Sequence, residues 1–220
     1  MRAPLLALTL ALAVGAVRAQ APASLGATMG PAFARVHTPL GTAPGLFSGP
    51  AFIAEARAAW GRVIVGVDYL GGRVSPVTTG PAARDLVEGR AFVGVTPWPW
   101  LALSVGPQAR AYVTDSATVR WVFWQARARV QSPLAGSQLT TYVELWRALS
   151  SEVTPATPLG RAQGGEAGLV VHPPRGPLWL RLSYRLDNAT VVAGGSEMVE
   201  AISLTVGVAT RLGVGVVGHR

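Results

Sequence analysis

Hydrophobic and polar residues alternate along most of this chain, most clearly over residues 90–114. Ala91, Val93, Val95 and Pro97 fall on one face, opposite Arg90, Phe92, Gly94 and Thr96. After Trp98-Pro99-Trp100 the alternation restarts. Leu101, Leu103, Val105, Pro107, Ala109, Ala111 and Val113 then oppose Ala102, Ser104, Gly106, Gln108, Arg110, Tyr112 and Thr114. A period of two is that of a β-strand, whose successive side chains point to opposite faces. Two such runs joined by a tight, Pro-containing turn predict a hairpin. One face is wholly apolar, and the other is polar, small or charged. That is the pattern of a strand with lipid on one side and a polar lumen on the other.

The same pattern predicts strands over 28–37, 49–59, 62–70, 118–130, 138–148, 163–171, 178–187 and 200–217. With the hairpin this makes about ten, with eight or twelve as alternatives, and an even number closes into an up-and-down barrel. The fold class expected is therefore all-β: a closed, antiparallel, transmembrane β-barrel. Short turns are predicted around Trp60-Gly61, Trp98-Pro99, residues 133–136 and residues 173–176. Longer loops rich in Gly, Pro, Ser and Thr are predicted over 39–45, 71–83, 149–159 and 188–197. Short turns on the periplasmic rim and longer loops outside is the outer-membrane arrangement. Trp60, Trp98, Trp100 and Trp179 fall near the short turns and are expected to form a periplasmic aromatic girdle, because indole favours the bilayer interface.

Composition sharpens this picture. Charged residues are only 14% of the chain, against about 25% in ordinary soluble domains. The 26 Gly and 17 Pro suit many strands and turns. All 19 basic residues are Arg, and the formal charge is +8. These arginines are scattered rather than gathered on a patch or helix face, which argues against a nucleic-acid partner. With no Cys, disulfides, thiolate metal sites and Cys nucleophiles are all excluded. Residues 1–19 read as a signal peptide, with a basic start, an apolar stretch too short to span a bilayer, and small residues around Ala19. Residues 20–27 read as a leader and 28–220 as the barrel.

The face opposite the apolar rows carries Glu55, Arg57, Arg62, Asp68, Glu88, Arg90, Arg110, Arg127, Arg129, Glu144, Glu166, Arg181, Arg185, Asp187 and Arg211. These are the expected lumen-facing charges. Mixed with Gly, Ser, Thr and bulky Trp121, Phe123, Tyr142 and Trp146, they suit a narrow interior in which large and small side chains alternate. Unpaired charges there would be costly, so Arg–carboxylate pairs across the lumen are expected.

At this level the chain resembles the small bacterial outer-membrane β-barrel proteins of OmpA-like, OmpX-like and omptin-type architecture. The resemblance covers nearly all of residues 28–220 and is carried by architecture rather than by a motif. It implies residence in the bacterial outer membrane, contact with its lipid, and insertion by the barrel-assembly machinery. Such proteins commonly end in an aromatic residue, whereas this chain ends Gly218-His219-Arg220.

Candidate chemistry is sparse. Omptin-like proteolysis would need an Asp–His pair with a second acidic pair, and a lipid-deacylating barrel would need a Ser–His–carboxylate set. His37, His172 and His219 sit in neither pattern, and no His, Asp and Glu spacing suits a metal. The expectation is a non-enzymatic barrel with no catalytic residues, no metal and no cofactor. Its role would be structural or interactive, with outward loops whose partner no motif names. Two alternatives stay open: a small pore favouring anions through its excess of Arg, and a secreted soluble barrel holding an apolar ligand.

Overall fold

The computed structural model describes residues 23–39, 45–78, 82–115, 117–135, 138–154, 159–174, 176–192 and 195–212. The expected signal peptide, His219 and the end of the last predicted strand lie outside them. Ten strands form the fold. They are β1 (Ala23–Thr38), β2 (Gly45–Trp60), β3 (Val63–Pro76), β4 (Arg84–Trp98) and β5 (Leu101–Val113). β6 (Thr118–Ala135), β7 (Leu139–Thr154), β8 (Leu159–Val171), β9 (Leu178–Val191) and β10 (Ser196–Leu212) follow. Each strand pairs antiparallel with its sequence neighbours, and β1 pairs with β10 to close the barrel. No described helix is long and apolar enough to cross a membrane.

The strands outrun their predicted lengths. Residues 23–27, expected as a leader, form the start of β1 and pair with β2 and β10. β3 continues through Gly71-Gly72 to Pro76, β7 runs to Thr154, and β9 runs to Val191. Three of the expected long loops therefore shrink to residues 77–83, 155–158 and 192–195. Gly-, Ser- and Thr-rich segments read as loops by composition, yet the hydrogen-bond ladder uses only backbone groups. A barrel that presents the next strand at the right spacing extends through them.

Large side chains face small ones across the ladder. Phe92, Tyr142, Trp146 and Trp179 point inward, each directly opposite a glycine: Gly66, Gly168, Gly164 and Gly207. A Cβ on any of these glycines would come within 2.1–2.6 Å of the facing ring. Each ring lies over bare backbone, which lets four bulky aromatics share a narrow barrel. Gly164→Leu is expected to cost about 1–3 kcal/mol by overpacking, measured by urea unfolding of the barrel in detergent. Gly89→Leu is the control, because Gly89 faces outward and a Cβ there meets nothing within 4 Å. Its expected effect is near zero, and equal costs at the two sites would refute this packing scheme.

Two zones stack along the barrel axis with opposite polarity. Toward the short turns, the outward rows are apolar, as in Ile202, Leu204, Val206 and Val208 of β10 and Leu178, Leu180, Leu182 and Leu186 of β9. The inward rows of this zone carry the charges. Toward the loop ends the pattern inverts. The outward rows carry Arg35, Arg73, Asp85, Arg120, Glu152, Arg161 and Glu200. Inside, Val36, Phe47, Val74, Leu86 and Trp121 are each 0% exposed and pack into one cluster with Tyr112, Val153 and Val199. Spanning a bilayer takes only about 9–11 tilted residues per strand, and these strands have 13 to 18. The surplus forms a section with an apolar centre and a polar exterior, as water on the outside requires.

Candidate functional site

The lumen holds the molecule's concentrated chemistry. β5 supplies its hub, Arg110, whose side chain is 3% exposed. Its Nε donates to Glu88 at 2.7 Å, one terminal nitrogen to Asp187 at 2.5 Å, and the other to Glu197 at 3.2 Å. One fork thus binds carboxylates from β4, β9 and β10, across the full width of the barrel. Glu197 also accepts from the Tyr112 hydroxyl at 2.8 Å and from Thr38 at 3.3 Å. Asp187 accepts from Arg185 and from the Trp146 indole N–H, the latter at 2.8 Å. Arg185 bridges back to Glu88 at 2.5 Å.

A second cluster lies beside it. Arg127 donates to Glu144 at 2.6 Å and to the Gln108 and Gln125 side-chain oxygens at 3.0 Å. Arg90 bonds Asp68 and reaches the same Glu144 oxygen at 3.2 Å. Closer to the turns, Arg181 of β9 grips both oxygens of Glu55 of β2, at 2.5 and 2.9 Å, reaching across β10 and β1. Arg57 touches Glu55 only at 3.5 Å. Tyr142 bonds Glu166, and Arg129 stacks 3.6 Å over the Tyr142 ring. Charge-assisted, forked contacts of this kind are the strongest that side chains make. They also relieve the cost of holding charge away from bulk water.

Thirteen of the fifteen charges that alternation assigned to the lumen line it in the structure. Arg62 sits instead in the exposed β2–β3 turn, because Trp60 ends the strand before it. Arg211 lies in β10, but its side chain is outside the described ones. Alternation had more to offer: Arg84 and Glu197 are also buried inward. Both share phase with inward neighbours, Arg84 with Leu86 and Glu88, and Glu197 with Val199 and Ala201. The expected loop over 188–197 hid Glu197.

Trp60, Trp98 and Trp100 are exposed on the turn-side rim, with Trp98 and Trp100 stacked at 5.5 Å between centroids. Trp179 differs from the girdle expectation. It shares the inward phase of Arg181 and Ser183 and covers Gly207, so it faces the mouth of the lumen. His37 is exposed at the loop end of β1, and His172 lies at the turn-side mouth. Among the described residues no three His, Asp or Glu converge to hold a metal.

No family model matches this chain, and no curated protein matches it. Among solved structures, the chain is similar to the translocator domain of the autotransporter NalP from Neisseria meningitidis. That match has 11% identity and a TM-score of 0.45, covering 92% of this chain and 93% of the other. Neisserial surface protein A matches at 15% identity and a TM-score of 0.38, covering 84% and 96%. Ail, the attachment invasion locus protein of Yersinia pestis, matches at 12% identity and a TM-score of 0.33, covering 85% and 98%. The chain's own ladder, apolar belt and charged interior carry the assignment. This is a transmembrane β-barrel of the bacterial outer-membrane type. The soluble-barrel alternative required charges around the waist and an aliphatic centre throughout, and that arrangement is confined to the loop-side section.

Proposed function

We propose that this protein is a non-enzymatic, non-conducting outer-membrane barrel with a structural or interaction role. The observation that carries the reading is the double closure of its lumen. The Arg110 cluster ties opposite walls together, the Arg127 cluster links β4 to β7 beside it, and a layer of fully buried Val, Phe, Leu and Trp side chains lies above them toward the loops. A water-filled path for ions would have to cross both. The outward aliphatic belt would take membrane lipid as its partner, and the barrel-assembly machinery would insert it. The polar loop-side section would stand clear of the membrane, as the surface presented to other molecules.

The charge balance weakens the anion-pore alternative. Arg57, Arg84, Arg90, Arg110, Arg127, Arg129, Arg181 and Arg185 face Glu55, Asp68, Glu88, Glu144, Glu166, Asp187 and Glu197. Among the described interior residues that is nearly one to one, too even for the net positive lining that selects anions. Reconstituted into planar bilayers, the full-length protein is expected to give no steady current. A stable, anion-selective conductance would overturn the closed reading in favour of the pore.

A further inference from the structure

The turn-side end of the lumen is not filled. Outside the Arg181–Glu55 pair lies a cavity of about 300 Å³, open toward the short turns. By volume it matches roughly ten waters at about 30 Å³ each. Arg57, Arg129, Gln131 and Thr140 stand on its wall, and His172 and Trp179 lie at its mouth with ring centroids 6.5 Å apart.

Its charges are unevenly satisfied. Both oxygens of Glu55 are taken by Arg181, so the 3.5 Å contact from Arg57 is secondary. Arg129 has no hydrogen-bond or ion-pair partner among the described residues; it stacks on the Tyr142 ring, while its ladder partner Glu144 is taken by Arg127 and Arg90. Stacking engages the flat face of a guanidinium and leaves its N–H edge free, and those donors require an acceptor. The lining thus holds three arginines and one carboxylate. Arg90, Arg110, Arg127 and Arg185 each hydrogen-bond a carboxylate deeper in the lumen; here two forks border an open space.

We propose that this vestibule is a binding site for a small organic oxyanion, a carboxylate or phosphate monoester, held between Arg57 and Arg129 and entering from the turn side. The size excludes a polymer, and two forked donors suit a group with two or three equivalent oxygens. Gln131 and Thr140 would serve the polar remainder of the ligand. The site goes beyond the closed-barrel reading and does not depend on it, since a blind cup and a channel mouth could both bind. Conductance and binding are read separately.

The test is isothermal titration of the full-length protein in zwitterionic micelles with three probes: inorganic phosphate, glycerol 3-phosphate and benzoate. Saturable binding of at least one probe is expected. Arg129→Gln and Arg57→Gln should each weaken it about tenfold or more, as loss of one charge-assisted contact implies. Arg73→Gln, on the outer wall, should leave it unchanged. Tighter binding of either organic probe identifies a small-molecule site, and equal or tighter binding of inorganic phosphate identifies free phosphate as the ligand. Heat-modifiable gel mobility confirms that each variant is folded. Arg57→Gln leaves Glu55 both its Arg181 contacts, so it supplies the test if Arg129→Gln does not fold. No saturable binding of any probe, or binding indifferent to the folded variants, would overturn the proposal.

Discussion

Replacing Arg110 with Met is expected to destabilise the barrel by about 3–5 kcal/mol, the cost of breaking a buried charge network from one side. Arg110 is shared by Glu88, Asp187 and Glu197. Removing it leaves three carboxylates in a space where Glu197 is 1% exposed and Asp187 2%. Arg185 still serves Glu88 and Asp187, and Tyr112 and Thr38 still donate to Glu197. Among the described residues, Glu197 therefore loses its one ion pair. Adding Glu197→Gln to Arg110→Met should recover part of the cost, and a double-mutant cycle reads that coupling directly. The measurement is urea unfolding in detergent, followed by gel mobility. A cost below about 1 kcal/mol, the scale of solvated surface pairs, would mean that water reaches the network and that the lumen is open.

The second large effect concerns the outer wall. Leu204 is outward on β10 between Ile202 and Val206 and opposite Leu182, within the apolar belt. Leu204→Arg is expected to cost about 2–4 kcal/mol in lipid, as arginine does at the bilayer midplane. Met198 shares that row but lies beyond Glu200, paired with Asn188 and His37. Met198→Arg should cost only about 0–1 kcal/mol, the interfacial value. The contrast tests the polarity inversion. Equal costs at both positions would place the membrane boundary elsewhere, and a negligible cost at Leu204 would deny that the belt meets lipid at all.

The inversion is legible in the order of residues along single strands. Arg73, Asp85, Arg120 and Glu200 stand in the same row as outward aliphatics on their own strands, as Glu200 does with Ile202, whereas Glu152 reaches the outer face only through the bulge between β6 and β7. A charge in the apolar phase near a strand end marks where lipid gives way to water. Arg73 and Glu152 fall in segments 71–83 and 149–159, which read as loops because they are rich in Gly, Pro, Ser and Thr, and that composition masks the change from lipid to water. The arginine vestibule is a different case. Arg57 and Arg129 come from β2 and β6, and nothing in either strand says that one carboxylate is already taken by Arg181 of β9.

Alternation by itself determined that this chain is built of strands, about ten of them, which side chains share a face, and that one face is apolar enough for lipid. That information is local, because successive Cβ atoms along an extended backbone point to opposite sides whatever the neighbours are. The tertiary structure decided which charge meets which, as with Arg110 and Glu197, 87 residues apart, and Arg181 and Glu55, 126 apart. It also decided which glycine lies under which ring and where the lumen stays open. Those outcomes depend on the stagger between strands when the sheet closes on itself. Stagger is a property of the whole ring and is written in no single strand.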